Sequence, residues 1–137
     1  FIGSNLVKEL VSQGWIVDVV DNLSNGDIAL IEGIKNLRVL PNSSFLRAYK
    51  QQDGNRTNDE ILVIEDDFSS LGMLMHIDDG NYDVVFHQAA VPRVSYSVEN
   101  PAETTYENIS KTVGLFEACI DSVDRIVFAS SSSVYVG

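Results

Sequence analysis

Cysteine is almost absent. Cys119 stands alone in 137 residues, which excludes an internal disulfide and a cysteine-built zinc site. Basic residues are scarce too: nine Lys and Arg face twenty Asp and Glu, a formal charge of −11. A general nucleic-acid binder needs a basic footprint, so no nucleic-acid partner is expected. Docking on an anionic membrane surface is disfavoured for the same reason. No apolar run approaches the roughly 20 residues of a membrane span. What is present is 45% hydrophobic and 21% charged, the composition of a folded core and not of a disordered chain. The length fits one compact domain. The chain opens at Phe1 with no preceding signal peptide and closes on Val136-Gly137. Both ends read as cuts within a longer protein.

Hydrophobic spacing predicts the elements. Leu6, Val7, Leu10 and Val11 step as a helix over 4–13, and Gly14 stands where its C-terminal cap belongs. Trp15 to Val20 is a β-branched run interrupted by Asp18, and reads as a strand. The dense turn Asp21-Asn22-Leu23-Ser24-Asn25-Gly26 follows, then a short helix at Ile28 to Ile34. Leu37 to Leu40 fits a strand ended by Pro41, and Gln51 to Glu60 a polar loop around Gly54. Further strands are expected at Ile61 to Ile64, Tyr82 to His87 and Arg125 to Ala129, with a helix at Leu71 to Ile77. Asn100-Pro101-Ala102-Glu103 combines an N-cap, a first-turn proline and an acidic third position. A helix then runs over 102–121 with Tyr106, Ile109, Val113, Phe116 and Ile120 on one stripe. Strands alternating with helices, each strand a short apolar run, predict an α/β fold with a parallel sheet covered on both faces.

Ligands of such sheets bind beyond the carboxyl ends of the strands. Asp21 ends a strand 18 residues after Gly3, the place of the carboxylate that accepts ribose hydroxyls in a dinucleotide fold and repels a 2′-phosphate. The alternative is an Asp-Asn turn bonding only its own backbone. Asp67 is either an acceptor for an adenine amino group or a solvated acidic turn. Ala89-Ala90 either admits a ligand to the backbone or is small-residue packing. His87 reads as a satisfied core histidine before it reads as a catalyst. Ser130 to Ser133 form the one hydroxyl-rich strand end, suited to a proton relay or to hydrogen bonding a developing oxyanion, and otherwise a polar turn. Cys119 reads as core packing. The Asn-x-Ser/Thr triplets at Asn42, Asn55 and Asn108 read as chance without a secretion signal. No metal site is expected.

Taken in order, these residues resemble the extended short-chain dehydrogenase/reductases, in particular the NAD-dependent epimerase/dehydratase family acting on nucleotide sugars. Phe1-Ile2-Gly3 is similar to the end of its glycine fingerprint, and Asp21 to Gly26 to its ribose turn. Asp67-Phe68 is similar to its adenine-side pair and His87-Gln88-Ala89-Ala90 to its His-x-Ala-Ala. Asn100-Pro101 with Asn108, and Ser130 to Tyr135, resemble its helix and its serine motif. Residues 36–60 fall outside the match and read as an insertion. The resemblance implies a Rossmann-like doubly wound parallel sheet, truncated at both ends, forming part of an NAD-binding domain over 1–137. It implies that Phe1, Ile2, Gly3, Asp21, Asn22, Asn25, Gly26, Asp67, Phe68, Gln88, Ala89, Ala90 and Asn108 bind NAD. It places Ser131 as the active-site hydroxyl and Arg93, Ser95 and Tyr96 near a nucleotide-sugar substrate. It implies hydride removal from and return to the sugar's C4, driven by a Tyr-x-x-x-Lys pair beyond the Ser131 position. This chain ends before that pair, so it is not expected to turn over alone. A homodimer through the 102–121 helix and a cytoplasmic location are implied as well.

The serine run points to a branch. Dehydratases of the family carry Asp-Glu where Ser132 and Ser133 stand, and decarboxylases carry Glu at the Ser133 position. Neither carboxylate is present, which favours 4-epimerisation of a UDP-hexose. Asp66, Lys111 and Val136 stand where the family has glycine. These departures leave a dehydratase or reductase, or a non-catalytic NAD-binding regulator, as the alternatives.

Overall fold

The computed structural model describes residues 1–34, 36–52, 57, 58 and 60–135. Gly54, Asn55, Val136 and Gly137, singled out above, lie outside the described residues. The chain divides into two compact units, Phe1–Met73 and Leu74–Gly137.

In the first unit, helix α1 (Ile2–Ser12) precedes strand β1 (Val17–Asp21). The join is tight because Gly14 takes φ +85. Its amide bonds Val11 and that of Trp15 bonds Leu10, closing the last turn as a Schellman cap. Strands β2 (Leu37–Leu40) and β3 (Ile61–Glu65) follow, and the sheet order is β1-β3-β2 with both pairings parallel. β3 is central, and its Ile61, Leu62, Val63 and Ile64 are fully buried. That explains its unbroken apolar run.

Side chains alternate across a sheet, so the unit has two cores. On one face Val17, Ile61 and Val63 pack with Val7, Leu10 and Val11 of α1 and with Ile31. The chain reversal after α1 makes it run against the strands, which brings its N-terminus to their carboxyl edge. The opposite face is covered by helix α2 (Leu46–Gln52), whose Lys50 reaches the nearly buried Asp18 of β1 at 3.7 Å. Leu46 and Tyr49 are buried there, and burial of a side chain such as Leu46 contributes about 1.5–3 kcal/mol. Asp18, which interrupted the apolar run of β1, is thus a paired charge under a helix.

Gln51 and Gln52, expected in a polar loop at 51–60, are instead the last residues of α2. Residues 28–34 form only a 3-10 turn, Ile28–Leu30, capped by the Asp27 side chain on the Ala29 amide. Gly33 and Asn36, at φ +90 and +56, prevent its extension.

Helix α3 (Leu71–Asp78) leads from the first unit into the second. There β4 (Val84–His87) and β5 (Arg125–Phe128) pair in parallel. Helix α4 (Val94–Glu99) was not anticipated from the sequence. Pro101 opens α5 (Pro101–Thr105), which passes through a π turn (Tyr106–Ser110) into α6 (Lys111–Cys119). Asn100 does precede this helix, but its side chain donates back to the Tyr96 carbonyl and does not cap the new helix. Leu115 and Cys119 are buried, and burial pushes the Cys119 thiol pKa up, which suits packing and not reactivity. Tyr106, Ile109, Val113 and Ile120 remain exposed. No helix among the described residues is long and apolar enough to cross a membrane.

Candidate functional site

In the first unit the site residues gather at one sheet edge. Asp21 and Glu65 are register partners at the carboxyl ends of β1 and β3, so Asp21-Asn22 and Asp67-Phe68 leave neighbouring strands. Asp21 Oδ1 accepts the Leu23 amide at 2.7 Å, and Asn22 Oδ1 accepts the Ser24 amide at 3.1 Å. The self-bonded turn weighed against a ribose role is therefore formed. It does not use up the carboxylate, which retains a second oxygen and further acceptor capacity. Gly26 lies directly against that carboxylate: a Cβ there would stand 2.9 Å from Oδ2 and 3.0 Å from Oδ1. Asn25, like Asn22, is exposed on the same turn.

The first turn of α1 supplies the complementary donors. The opening amides of a helix lack internal acceptors. Here Ser4 Oγ and Asn5 Nδ2 both donate to the Phe1 carbonyl, and no acidic residue lies in the first turn. Phe1, Ile2 and Gly3 thus present the positive end of an eleven-residue helix, the donor set an anionic pyrophosphate requires. A carboxylate such as Asp21 and a helix end such as this are the kinds of group that the ribose and the pyrophosphate of a dinucleotide would need.

The β3 turn is more elaborate than the sequence indicated. Asp67 Oδ1 accepts the Ser69 amide and hydroxyl at 2.9 and 2.7 Å. Asp66 turns the other way, onto Ser43 and Ser70. Burial pushes the Asp66 carboxyl pKa up, but the hydrogen bonds from Ser43, Ser70 and the Asp67 amide outweigh it, so the group stays below its ordinary value.

In the second unit His87 and Phe128 are register partners, so Gln88-Ala89-Ala90 and Ser131 leave β4 and β5 at the same edge. Ala89, Ala90 and Ser131 are exposed and Gln88 is half-buried. Asn108, on the π turn, clasps this edge. Its Oδ1 accepts the Val91 amide at 2.7 Å and its Nδ2 donates to the Val91 carbonyl at 3.0 Å. Arg93, the residue before α4, and Ser95, in its first turn, are exposed. The Tyr96 hydroxyl is held by Glu103, and this bond, with burial and the charges of Glu103 and Glu107, raises its pKa.

His87 is the core histidine it was read as. It is buried, with Nε2 2.9 Å from Thr112 Oγ1 and its ring stacked on Phe128. Burial lowers its pKa, which keeps the ring neutral. Lys111 does not project from its helix. It pairs with Glu107 at 2.7 Å and lies over the Tyr106 ring, with its side chain 11% exposed. The partners Ser43 and Thr112 escaped the sequence reading; each lies far along the chain from the residue it serves. No group of ligands suited to a metal ion occurs among the described residues.

Comparison with known proteins extends this picture. The model of the NAD dependent epimerase/dehydratase family matches residues 1–136. The bifunctional UDP-glucose 4-epimerase and UDP-xylose 4-epimerase 1 of Pisum sativum is 28% identical over 136 residues, covering 98% of this chain and 35% of that protein. A UDP-N-acetyl-alpha-D-glucosaminuronate decarboxylase of Bacillus cytotoxicus is 29% identical over the same shares of both. A crystal structure of the UDP-glucose 4-epimerase of Stenotrophomonas maltophila, with bound NAD and formylated UDP-arabinopyranose, is 28% identical. It superposes with a TM-score of 0.71 over 98% of this chain and 35% of that one. The chain spans about a third of the length of the relatives it matches. The parallel α/β arrangement is the Rossmann-like one of these neighbours. With the family model matched from Phe1 to Val136, the chain belongs to the NAD dependent epimerase/dehydratase family.

Proposed function

We propose that the chain is the cofactor-binding part of an NAD-dependent nucleotide-sugar 4-epimerase, acting on a UDP-hexose. The observation that carries the reading is the Asp21 carboxylate. It stands at the carboxyl end of β1, fixed by the Leu23 amide and by contact with Gly26. That geometry suits two ribose hydroxyls and opposes a 2′-phosphate. The α1 amides at Ile2 and Gly3 hold the pyrophosphate. Asp67 and Phe68 flank the adenine, with Asn22, Asn25 and Gly26 completing the ribose side. Gln88, Ala89 and Ala90 line the path of the cofactor. Asn108 acts on that path through its clasp on Val91. NAD bound there would supply reversible hydride uptake. Ser131 donates a hydrogen bond to the sugar C4 oxygen, and Arg93, Ser95 and Tyr96 approach the substrate. Ser132 and Ser133, in place of carboxylates, favour epimerisation over elimination.

The full-length protein is expected to bind NAD in preference to NADP and to interconvert UDP-glucose and UDP-galactose, or their N-acetyl or uronate forms, by NMR product analysis. A 4-keto-6-deoxy product, or no turnover with bound NAD, would overturn the epimerase assignment. A second reading, decarboxylation of a UDP-uronate, is supported by the resemblance to the Bacillus cytotoxicus enzyme, and carbon dioxide release in the same assay distinguishes it. We also propose a homodimer of the full-length protein, seated on the exposed stripe Tyr106, Ile109, Val113 and Ile120. Residues 36–60 are proposed to be an insertion, of which 36–52 brace the first unit.

A further inference from the structure

Asp66 occupies a position at which the family pattern has glycine, and both of its carboxylate oxygens are hydrogen-bonded. Oδ2 accepts the Ser43 amide at 2.9 Å and the Ser70 hydroxyl at 3.0 Å, while Oδ1 accepts the Asp67 amide at 2.8 Å. Ser43 Oγ lies 3.2 Å from Ser70 Oγ, and Ser70 Oγ accepts the Met73 amide at 3.4 Å in the first turn of α3. One carboxylate therefore joins the end of β3, the start of α3 and the turn that follows β2.

The knot is closely packed. Ser43 is 8% exposed, and a Cβ on Gly72 would run into its hydroxyl. The segment that carries Ser43 is anchored independently. β2 pairs with β3 from Leu37 to Leu40, Leu46 is buried, and the Tyr49 hydroxyl donates to Glu60 at 2.5 Å. The Asp67 carboxylate accepts the Ser69 amide and hydroxyl. The Asp67 backbone is held on one side by its amide on Asp66 Oδ1 and on the other by the Ser70 amide on its carbonyl. A glycine at 66 would have no side chain to make these bonds, so this route exists through the Asp66–Ser43 pair.

We propose that Asp66 is a positioning residue for the adenine end of the cofactor site, transmitting the rigidity of the 36–52 segment to Asp67 and Phe68. This rests on the reading of the chain as NAD-binding. Asp66 does not touch the cofactor; it fixes the turn that does.

The test uses the full-length, NAD-free protein and three variants, Asp66→Asn, Asp66→Gly and Ser43→Ala. NAD and ADP-ribose are titrated by calorimetry, with thermal melting and kcat at saturating NAD measured alongside. Asp66→Asn and Asp66→Gly are expected to weaken NAD and ADP-ribose equally, by about three- to thirtyfold. Ser43→Ala, which keeps the amide donor, weakens both less, and kcat stays at the wild-type value. Unchanged affinities with a lowered melting temperature would assign Asp66 to stability alone and overturn the inference. If the Asp66 variants do not fold, Ser43→Ala decides by the same criterion. Wild-type protein that fails to bind NAD overturns the NAD-binding reading and this inference with it, whereas wild-type binding with unaffected variants overturns this inference alone.

Discussion

Gly26→Ala tests the ribose site through a residue that makes no hydrogen bond of its own to Asp21. The added Cβ would stand 2.9 Å from Asp21 Oδ2, 3.0 Å from Oδ1 and 3.1 Å from Cγ. Contacts that short do not persist, so one partner has to move. The carboxylate is short and already bonded to the Leu23 amide at 2.7 Å. Leu23 itself sits at φ +56, a conformation uncommon for a residue other than glycine, and that bond supports it. If the carboxylate rotates, the Leu23 bond and the alignment for the ribose hydroxyls are lost together. If the turn withdraws, the carboxylate stays and its neighbours on the ribose side leave. A hydrogen bond to a charged group contributes about 1.5–3 kcal/mol, so losing one is worth roughly ten- to a hundredfold in NAD affinity. NADP gains nothing from Asp21, so its affinity falls much less. The preference for NAD over NADP should drop by about tenfold or more by calorimetric titration of the full-length protein. A Gly26→Ala protein with wild-type affinity and wild-type preference would refute the reasoning, because the contact would then have no bearing on the cofactor.

Two further outcomes follow from the second unit. His87 is held neutral by burial, below the ordinary value of 6.5, whereas the unfolded chain protonates near that value. Its contribution is intact above pH 6.5 and is lost as pH falls from there toward the lowered native pKa. Melting of the full-length protein should therefore show a loss of stability below that pH that His87→Asn reduces, and equal pH dependence in the two proteins would contradict the assignment. Val113→Glu places a charge in the middle of the exposed Tyr106, Ile109 and Ile120 stripe. Light scattering at micromolar concentration should then report monomer where the wild-type reports dimer, and a wild-type monomer would remove the proposed interface.

The elements most legible in the sequence were those whose local signals agree. Leu10, Val11 and Gly14 mark the end of α1, and the Schellman cap forms at that glycine. Ile61 to Ile64 reads as a buried strand because four apolar residues in a row fit only a position covered on both faces. Pro101 and Glu103 marked the start of α5. The failures occurred where a distant partner decides. Helix α2 continues a 3-10 turn, Ser43–Phe45, that Asn42 opens by accepting the Ser44 amide, and it is stabilised by Leu46 and Tyr49 under the sheet and by Lys50 on Asp18. The strength of a helix comes mostly from the face it buries, so the cap alone does not announce a seven-residue helix. The π turn is likewise set by Asn108 reaching Val91, seventeen residues back.

The same distinction separates two acidic residues that are adjacent in sequence. The sequence offers Asp67 as an adenine-side acceptor or a solvated acidic turn, and Asp66 as a departure from the family's glycine. In the structure they divide: Asp67 bonds to Ser69 two residues away, and Asp66 bonds across the fold to Ser43. A chain with a formal charge of −11 has few cations to spare for an anionic ligand. Its acidic groups at the β3 edge stay charged and are hydrogen-bonded by donors it already owns, the Ser43, Asp67 and Ser69 amides and the Ser69 and Ser70 hydroxyls. On the proposed reading, an anionic pyrophosphate would be met by the α1 amides and not by a basic cluster. On that reading recognition would depend on where backbone donors point, which is set by packing and not by composition.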